Sequence, residues 1–238
     1  MNSVDLEFPV CPLYGSVDDR VIYEGKRFAP YGVKSCCRCG MCFLSPPPIE
    51  QAMLSPYLQD NYFSGVEQGY NNYAAQEPAL RATFRRLLQT LAARGKTGED
   101  LLEIGCGYGY LLDEARPYFK RRIGTDFSAR AVEQARSRAD QVYWGGIEAI
   151  REPERFDCAI ATHVIEHVYH RQDFVSALLE RLRPGGCLLI ATPDMGSCWR
   201  KLMRSRWPSF KLPEHVLSER PGLGISFNED FVRQYRQS

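Results

Sequence analysis

The sequence predicts an α/β fold, a doubly wound and mostly parallel sheet, with a small cysteine-bearing segment in front of it. Three observations carry this expectation. Between about residue 98 and residue 192, short apolar runs alternate with segments of helical period, the pattern of strands buried on both faces beneath helices. The first of these runs leads straight into glycines, in "LLEIGCGYGYLL", Leu101–Leu112. Five of the nine cysteines, Cys11, Cys36, Cys37, Cys39 and Cys42, fall in the opening stretch, where helical periodicity is weak.

Taken in order, residues 1–48 form the cysteine-bearing segment, and "SPPPIE", Ser45–Glu50, punctuates its exit. Residues 49–75 read as a linker with short helices; Tyr62, Tyr70 and Tyr73 there either form a lid or pack against the sheet. Residues 76–238 form the main domain. Its first helix carries Leu80, Phe84, Leu87, Leu88 and Leu91 at helical spacing, with Pro78 near its start and Gly95 as its stop. "EDLLEIG" is a buried strand, "YLLDEARPYF" a helix broken at Pro117, and "RRIGTDFS" holds a short strand. "SARAVEQARSRA" is a helix capped by Ser128, and "VYWGG" is a strand. Cys158 to Ala161 form the heart of the next strand, "DFVSALLERLRPGG" is a helix ended by Gly185 and Gly186, and "CLLIATP" is a strand.

Composition bounds the function. The chain has 238 residues, 44% hydrophobic and 25% charged, with a formal net charge of +1. That balance offers no electrostatic footprint for nucleic acid. No apolar run approaches the roughly 18 residues of a membrane span, and neither nucleic acid nor membrane is expected as a partner. The opening "MNSVDLEFPV" lacks a basic n-region followed by an apolar stretch, so cytoplasmic localisation is the expectation. In a reducing compartment, clustered cysteines read as metal ligands before disulfides. The scattered Cys106, Cys158, Cys187 and Cys198 read as small buried hydrophobes.

Glycines at a strand end permit positive φ and remove the Cβ atoms that would obstruct a ligand, and open α/β sheets bind ligands beyond the carboxyl ends of their strands. A tight turn without a ligand remains the alternative for the glycines alone. The spacing is G-x-G-x-G, Gly105, Gly107 and Gly109, one residue short of the dinucleotide fingerprint. Glu103, two residues before the first glycine, repels a pyrophosphate and suits an ammonium or sulfonium centre. Asp126, 23 residues beyond Glu103, ends the next strand, where a carboxylate can accept two hydrogen bonds from ribose hydroxyls, worth roughly 1.5–3 kcal/mol each.

"LLEIGCGYGYLL", "GTDFS", "FDCAIATHVIEHV" and "LRPGGCLLIATPD" together resemble class I S-adenosylmethionine-dependent methyltransferases, over about residues 98–215. The resemblance implies a Rossmann-like methyltransferase fold and S-adenosylmethionine as cofactor. It implies that Glu103, Gly105, Cys106, Gly107 and Gly109 lie beneath the methionine part. Asp126 would hold the ribose, and Phe127 would lie against the adenine. Gly146 and Ile147 would contribute backbone contacts near the adenine amine, since Gly146 stands where relatives often have Asp, and Thr162 and His163 would complete the cofactor site. The acceptor implied is a small molecule or a glycan-like compound, methylated at oxygen or carbon. The segment after Thr192 shows no clear pair of strands. One or both final antiparallel strands are therefore expected to be absent or very short, leaving a sheet edge that a second copy or a partner protein would cover.

"CPLYG" and "CCRCGMCFLSPPP" resemble the two knuckles of the zinc ribbon that precedes one subgroup of these enzymes. Tyr14 stands at the fourth ligand position, so the ligand set implied is Cys11, Cys36, Cys39 and Cys42, with Cys37 as a substitute. A structural zinc and a metal-free ribbon held by packing stay open as alternatives.

"HVIEH" matches the H-x-x-E-H signature of a zinc peptidase class, but it follows a strand rather than lying on a helix, which disfavours that chemistry. By resemblance, Glu166 and His167 stand at the mouth where cofactor and acceptor meet, and His167 is the expected general base; an architectural role for the pair is the alternative. In quinone-modifying relatives a Glu, Glu, His set has been linked to a divalent metal, and His163 replaces one of those acids. His215 would line the acceptor pocket. Two rival readings remain: a non-catalytic cofactor-binding or scaffold protein, and a nicotinamide oxidoreductase disfavoured by Glu103 and the glycine spacing.

Overall fold

The computed structural model describes residues 10–11, 15–24, 29–47, 49, 55–58, 62–63, 72–151, 153–207 and 217–218. The chain divides into two compact units, residues 48–190 and residues 1–47 together with 191–238.

In the larger unit, after 3-10 turns at Ser55–Leu58 and Ala74–Gln76, α1 spans Glu77–Ala93, buries Phe84, Leu87, Leu88 and Leu91 and carries a proline in its first turn. Gly95, at φ 63°, follows the helix end as expected, donating its N–H to Ala92 O at 2.9 Å. Then come β4 (Gly98–Ile104), α2 (Tyr110–Glu114), β5 (Phe119–Asp126), α3 (Ala129–Ala135), β6 (Gln141–Trp144), β7 (Phe156–Thr162), α4 (Arg171–Glu180) and β8 (Leu182–Ala191). Strands β1 to β3 belong to the other unit. Ser128 caps α3 as predicted, its side chain accepting from Ala131 N.

The five strands of this sheet lie in the order β6-β5-β4-β7-β8. β4 pairs in parallel with both β5 and β7, and β5 in parallel with β6. The winding therefore reverses beside β4, the switch point at which open α/β sheets form their ligand crevice. Leu102, Ile123, Phe156, Ala159 and Leu178, all fully buried, belong to the core. At the opposite end of the strands Asp100 pairs with Arg121 at 2.6 Å and with Arg183, which also reaches Asp157 at 2.8 Å.

One boundary differs from expectation. Gly185 and Gly186 do not end α4, which stops at Glu180; both lie inside β8. A Cβ on Gly186 would lie 2.9 Å from Arg183 O and 3.1 Å from Asp157 O, so close approach of neighbouring backbone, rather than a helix cap, demands glycine there.

The smaller unit is an antiparallel sheet of β1 (Asp19–Tyr23), β2 (Gly32–Cys36), β3 (Cys42–Ser45) and β9 (Leu217–Ser218), in that order. β9 pairs with β3, Phe43 opposite Leu217, so the described part of the tail extends this sheet. The remainder of the tail after residue 218 lies outside the described residues. A short helix, α5 (Cys198–Met203), also belongs to this unit.

Candidate functional site

Parallel register brings the carboxyl ends of β4, β5 and β7 level, with Ile104 opposite both Thr125 and Ala161. Glu103, Asp126 and Thr162 therefore stand at one end of the sheet. Asp126 is buried and ties the loops together: Oδ2 accepts from Gly107 N at 2.9 Å and Oδ1 from Ser128 N at 2.8 Å. Burial raises its pKa to about 6, against the lowering effect of those two N–H groups. Each oxygen keeps a second lone pair for a ligand hydroxyl. Glu103 is fully buried, its pKa pushed well upward by burial and then by the charge of Asp126. Among the described residues its Oε2 has no hydrogen-bond partner, and no cation pairs with either carboxyl group. Two such groups with an orphaned oxygen fit a ligand that brings hydroxyls and a positive centre, and they repel a pyrophosphate.

The glycine loop is shaped by the protein as well as opened for a ligand. Gly105 has φ 70°, and a Cβ there would lie 2.6 Å from Val164 Cγ2; Gly107 has φ 52°, and a Cβ would lie 3.0 Å from Tyr73 Oη. Gly109 is the left-handed N-cap of α2. Cys106 is buried, and a Cβ on Gly124 would lie 2.8 Å from its Sγ, so its side chain packs into the sheet. Gly105→Ala is expected to lower the melting temperature by roughly 3–8 °C, from about 1–2 kcal/mol of left-handed strain plus the Val164 clash. Adding Val164→Ala should recover the steric part alone in thermal denaturation.

Phe127 O accepts from Trp144 Nε1 at 2.7 Å, and Gly146 N donates to Glu148 Oε1 at 2.7 Å. A Cβ on Gly146 would come 3.2 Å from Phe127 Cζ, which places these two residues side by side. Ile147 opens a single 3-10 turn and packs against the core.

Beyond Thr162, His163 adopts φ 55°, an uncommon conformation for a side chain of this size. Its Nδ1 lies 3.2 Å from Oε1 of the fully buried Glu166. His167 ends the 3-10 turn Ile165–His167, and its Nδ1 lies 2.6 Å from Tyr57 Oη. Tyr57 is the partner that sequence reading passed over: the residues are 110 apart, and only the tyrosine richness of residues 49–75 hinted at it. Tyr62 and Tyr73 are buried. Rings of Phe63, Tyr73 and Tyr108 lie 5.0–5.1 Å apart, beside the glycine loop that contains Tyr108. Tyr14, Tyr70 and His215 lie outside the described residues.

In the smaller unit the sulfurs of Cys11, Cys36 and Cys39 all lie within 4.8 Å of one another, with Cys11 and Cys39 at 3.6 Å. Burial works against ionisation of Cys36, but the backbone N–H groups of Cys39 and Arg38, with the thiols of Cys11 and Cys39, hold its pKa below the ordinary thiol value. Cys42, expected as the fourth ligand, stands apart. It faces Ser35 directly across the β2–β3 ladder, and side chains alternate along a strand, so Cys42 shares the face of Ser35 while Cys36 occupies the other.

The model of a methyltransferase domain family matches residues 73–221. A probable S-adenosylmethionine-dependent methyltransferase of Mycolicibacterium smegmatis is 37% identical over 117 residues, 47% of this chain and 45% of the relative. The mitochondrial ubiquinone biosynthesis O-methyltransferase of Schizosaccharomyces pombe is 29% identical over 146 residues, 58% and 51% of the two chains. The chain thus spans about half the length of the curated relatives it matches. Among solved structures, that of the plantazolicin methyltransferase BpumL in complex with SAH aligns at a TM-score of 0.49 and 16% identity, covering 70% of each chain. With well over half of its residues matched by the family model, the chain belongs to this family of methyltransferase domains.

Proposed function

We propose that the chain transfers a methyl group from S-adenosylmethionine to a small-molecule or glycan-like acceptor, at an oxygen or an acidic carbon. One observation carries this reading: buried Glu103, with an unpartnered oxygen, beside buried Asp126 at the switch point of the sheet. When bound, S-adenosylmethionine supplies an activated methyl group on a sulfonium. The protein's task is then alignment and exclusion of water, and orientation alone supplies roughly 7–11 kcal/mol. Asp126 would hold the ribose, Glu103 would balance the positive centre, and Phe127 with Gly146 would flank the base. His167 would take the acceptor proton on Nε2. For that, Nδ1–H must donate to Tyr57 Oη, the tautomer that puts the ring's basic lone pair on Nε2. Calorimetry with S-adenosylhomocysteine and with NAD tests the cofactor: binding of NAD alone overturns the reading. Methyl transfer to a panel of phenols, sugars and carbon acids tests the reaction; binding without turnover on any of them favours the scaffold reading.

The smaller unit is proposed as a zinc-ribbon-like segment. Zn–S bonds of about 2.3 Å place tetrahedral sulfurs about 3.8 Å apart, close to the Cys11–Cys39 separation of 3.6 Å. Cys11, Cys36 and Cys39 would hold a structural zinc. Elemental analysis should find about one zinc per chain in the native protein and in Cys42→Ser, and far less in Cys36→Ser or Cys39→Ser. Equal zinc in all of them would remove the metal from this cluster.

A further inference from the structure

Helix α5 turns its apolar side to solvent. Trp199 is 67% exposed, Leu202 75% and Met203 37%, and their i, i+3, i+4 spacing puts them on one helical face. Arg200 and Lys201 stand on the remaining side of the helix and Arg204 and Arg206 in the turn that follows it, and none of the four pairs with an acidic group among the described residues. The sequence has no Asp or Glu between Asp194 and Glu214. A lone exposed hydrophobe is ordinary, but three on one face with unpaired cations on the other side and in the next turn have the composition of a helix that lies in a membrane interface.

We propose that α5 docks on an anionic phospholipid surface, with Trp199, Leu202 and Met203 entering the boundary between headgroups and acyl chains and the cations facing lipid phosphates. Charge complementarity selects this occupant. A second copy docked by two-fold symmetry would set the same cations against themselves. RNA would use the cations and stack on Trp199 but offers nothing to Leu202 and Met203. The expectation of no membrane partner rested on span length. Among the described residues no helix is long and apolar enough to cross a membrane, but a segment lying in the interface needs no such length.

The test is co-sedimentation of the full chain with sucrose-loaded vesicles of phosphatidylcholine, alone or with about one third phosphatidylserine. Binding is expected to be about tenfold stronger or more on the anionic vesicles, and to weaken sharply at about 1 M salt, where screening shortens to about 3 Å. Trp199→Ser with Leu202→Ser, and separately Arg200→Gln with Lys201→Gln and Arg204→Gln, should each reduce binding by about tenfold. Both variants should melt at the native temperature, because the changed side chains lie at the surface. Equal sedimentation with both compositions, or undiminished binding by either variant, overturns the proposal. Self-association of the native chain that Trp199→Ser abolishes would give the face to a second copy, and tight binding to RNA homopolymers would give it to nucleic acid; either result also overturns it.

Discussion

Asp126→Ala is expected to weaken binding of S-adenosylhomocysteine by about a hundredfold or more. The carboxylate would accept a hydrogen bond from each of two ribose hydroxyls, and two charged hydrogen bonds are worth roughly 3–6 kcal/mol together. The substitution also strips the acceptor from Gly107 N and Ser128 N, so the glycine loop loses its tie to β5. A pH dependence accompanies this. The carboxyl group has its pKa raised to about 6 by burial, above its value near 3.9 in an unfolded chain. A raised acid contributes stability that is fully present below the unfolded pKa and is lost as pH rises through about 6. The unliganded protein therefore carries a cost of about 3 kcal/mol above that pH. A ligand that hydrogen-bonds the ionised carboxylate must first remove its proton in acid. Affinity should then rise by roughly tenfold per unit below pH 6 and level off above it. Calorimetry across this range, with buffers of different ionisation enthalpy, reads both affinity and proton release. Unchanged affinity in Asp126→Ala removes Asp126 from the site.

His167→Ala should lower turnover by about 10²–10⁴, the usual contribution of a positioned base, while leaving S-adenosylhomocysteine affinity intact. Tyr57→Phe should produce a smaller loss of about tenfold. Phenylalanine keeps the ring tilted against Tyr62, where centroids lie 4.6 Å apart, but removes the hydroxyl at 2.6 Å from Nδ1. That loss releases the tautomer, so turnover should fall while the melting temperature and cofactor affinity are retained. A role in packing alone predicts a lower melting temperature in both variants. Normal turnover in His167→Ala leaves Glu166 and His167 as architecture.

Much of the sheet was legible in the chain itself. Strand periods, the Ser128 cap, the Gly95 stop and the left-handed glycines are set by dihedral preferences and burial patterns that extend over a few residues, and Glu103 and Asp126 were found by their distance from those glycines. Gly185 and Gly186 misled because glycine serves a helix end and a crowded strand equally well; only the approach of Asp157 O distinguishes the two.

By itself the sequence determined the alternating α/β order and the pair of acids at adjoining strand ends, because each is a local pattern repeated in parallel register. Tertiary structure alone decided that Tyr57 meets His167, that Cys42 turns away from the other sulfurs, and that the apolar side of α5 faces water. Each of these depends on which distant segments come together, and neither backbone propensity nor residue spacing carries that information.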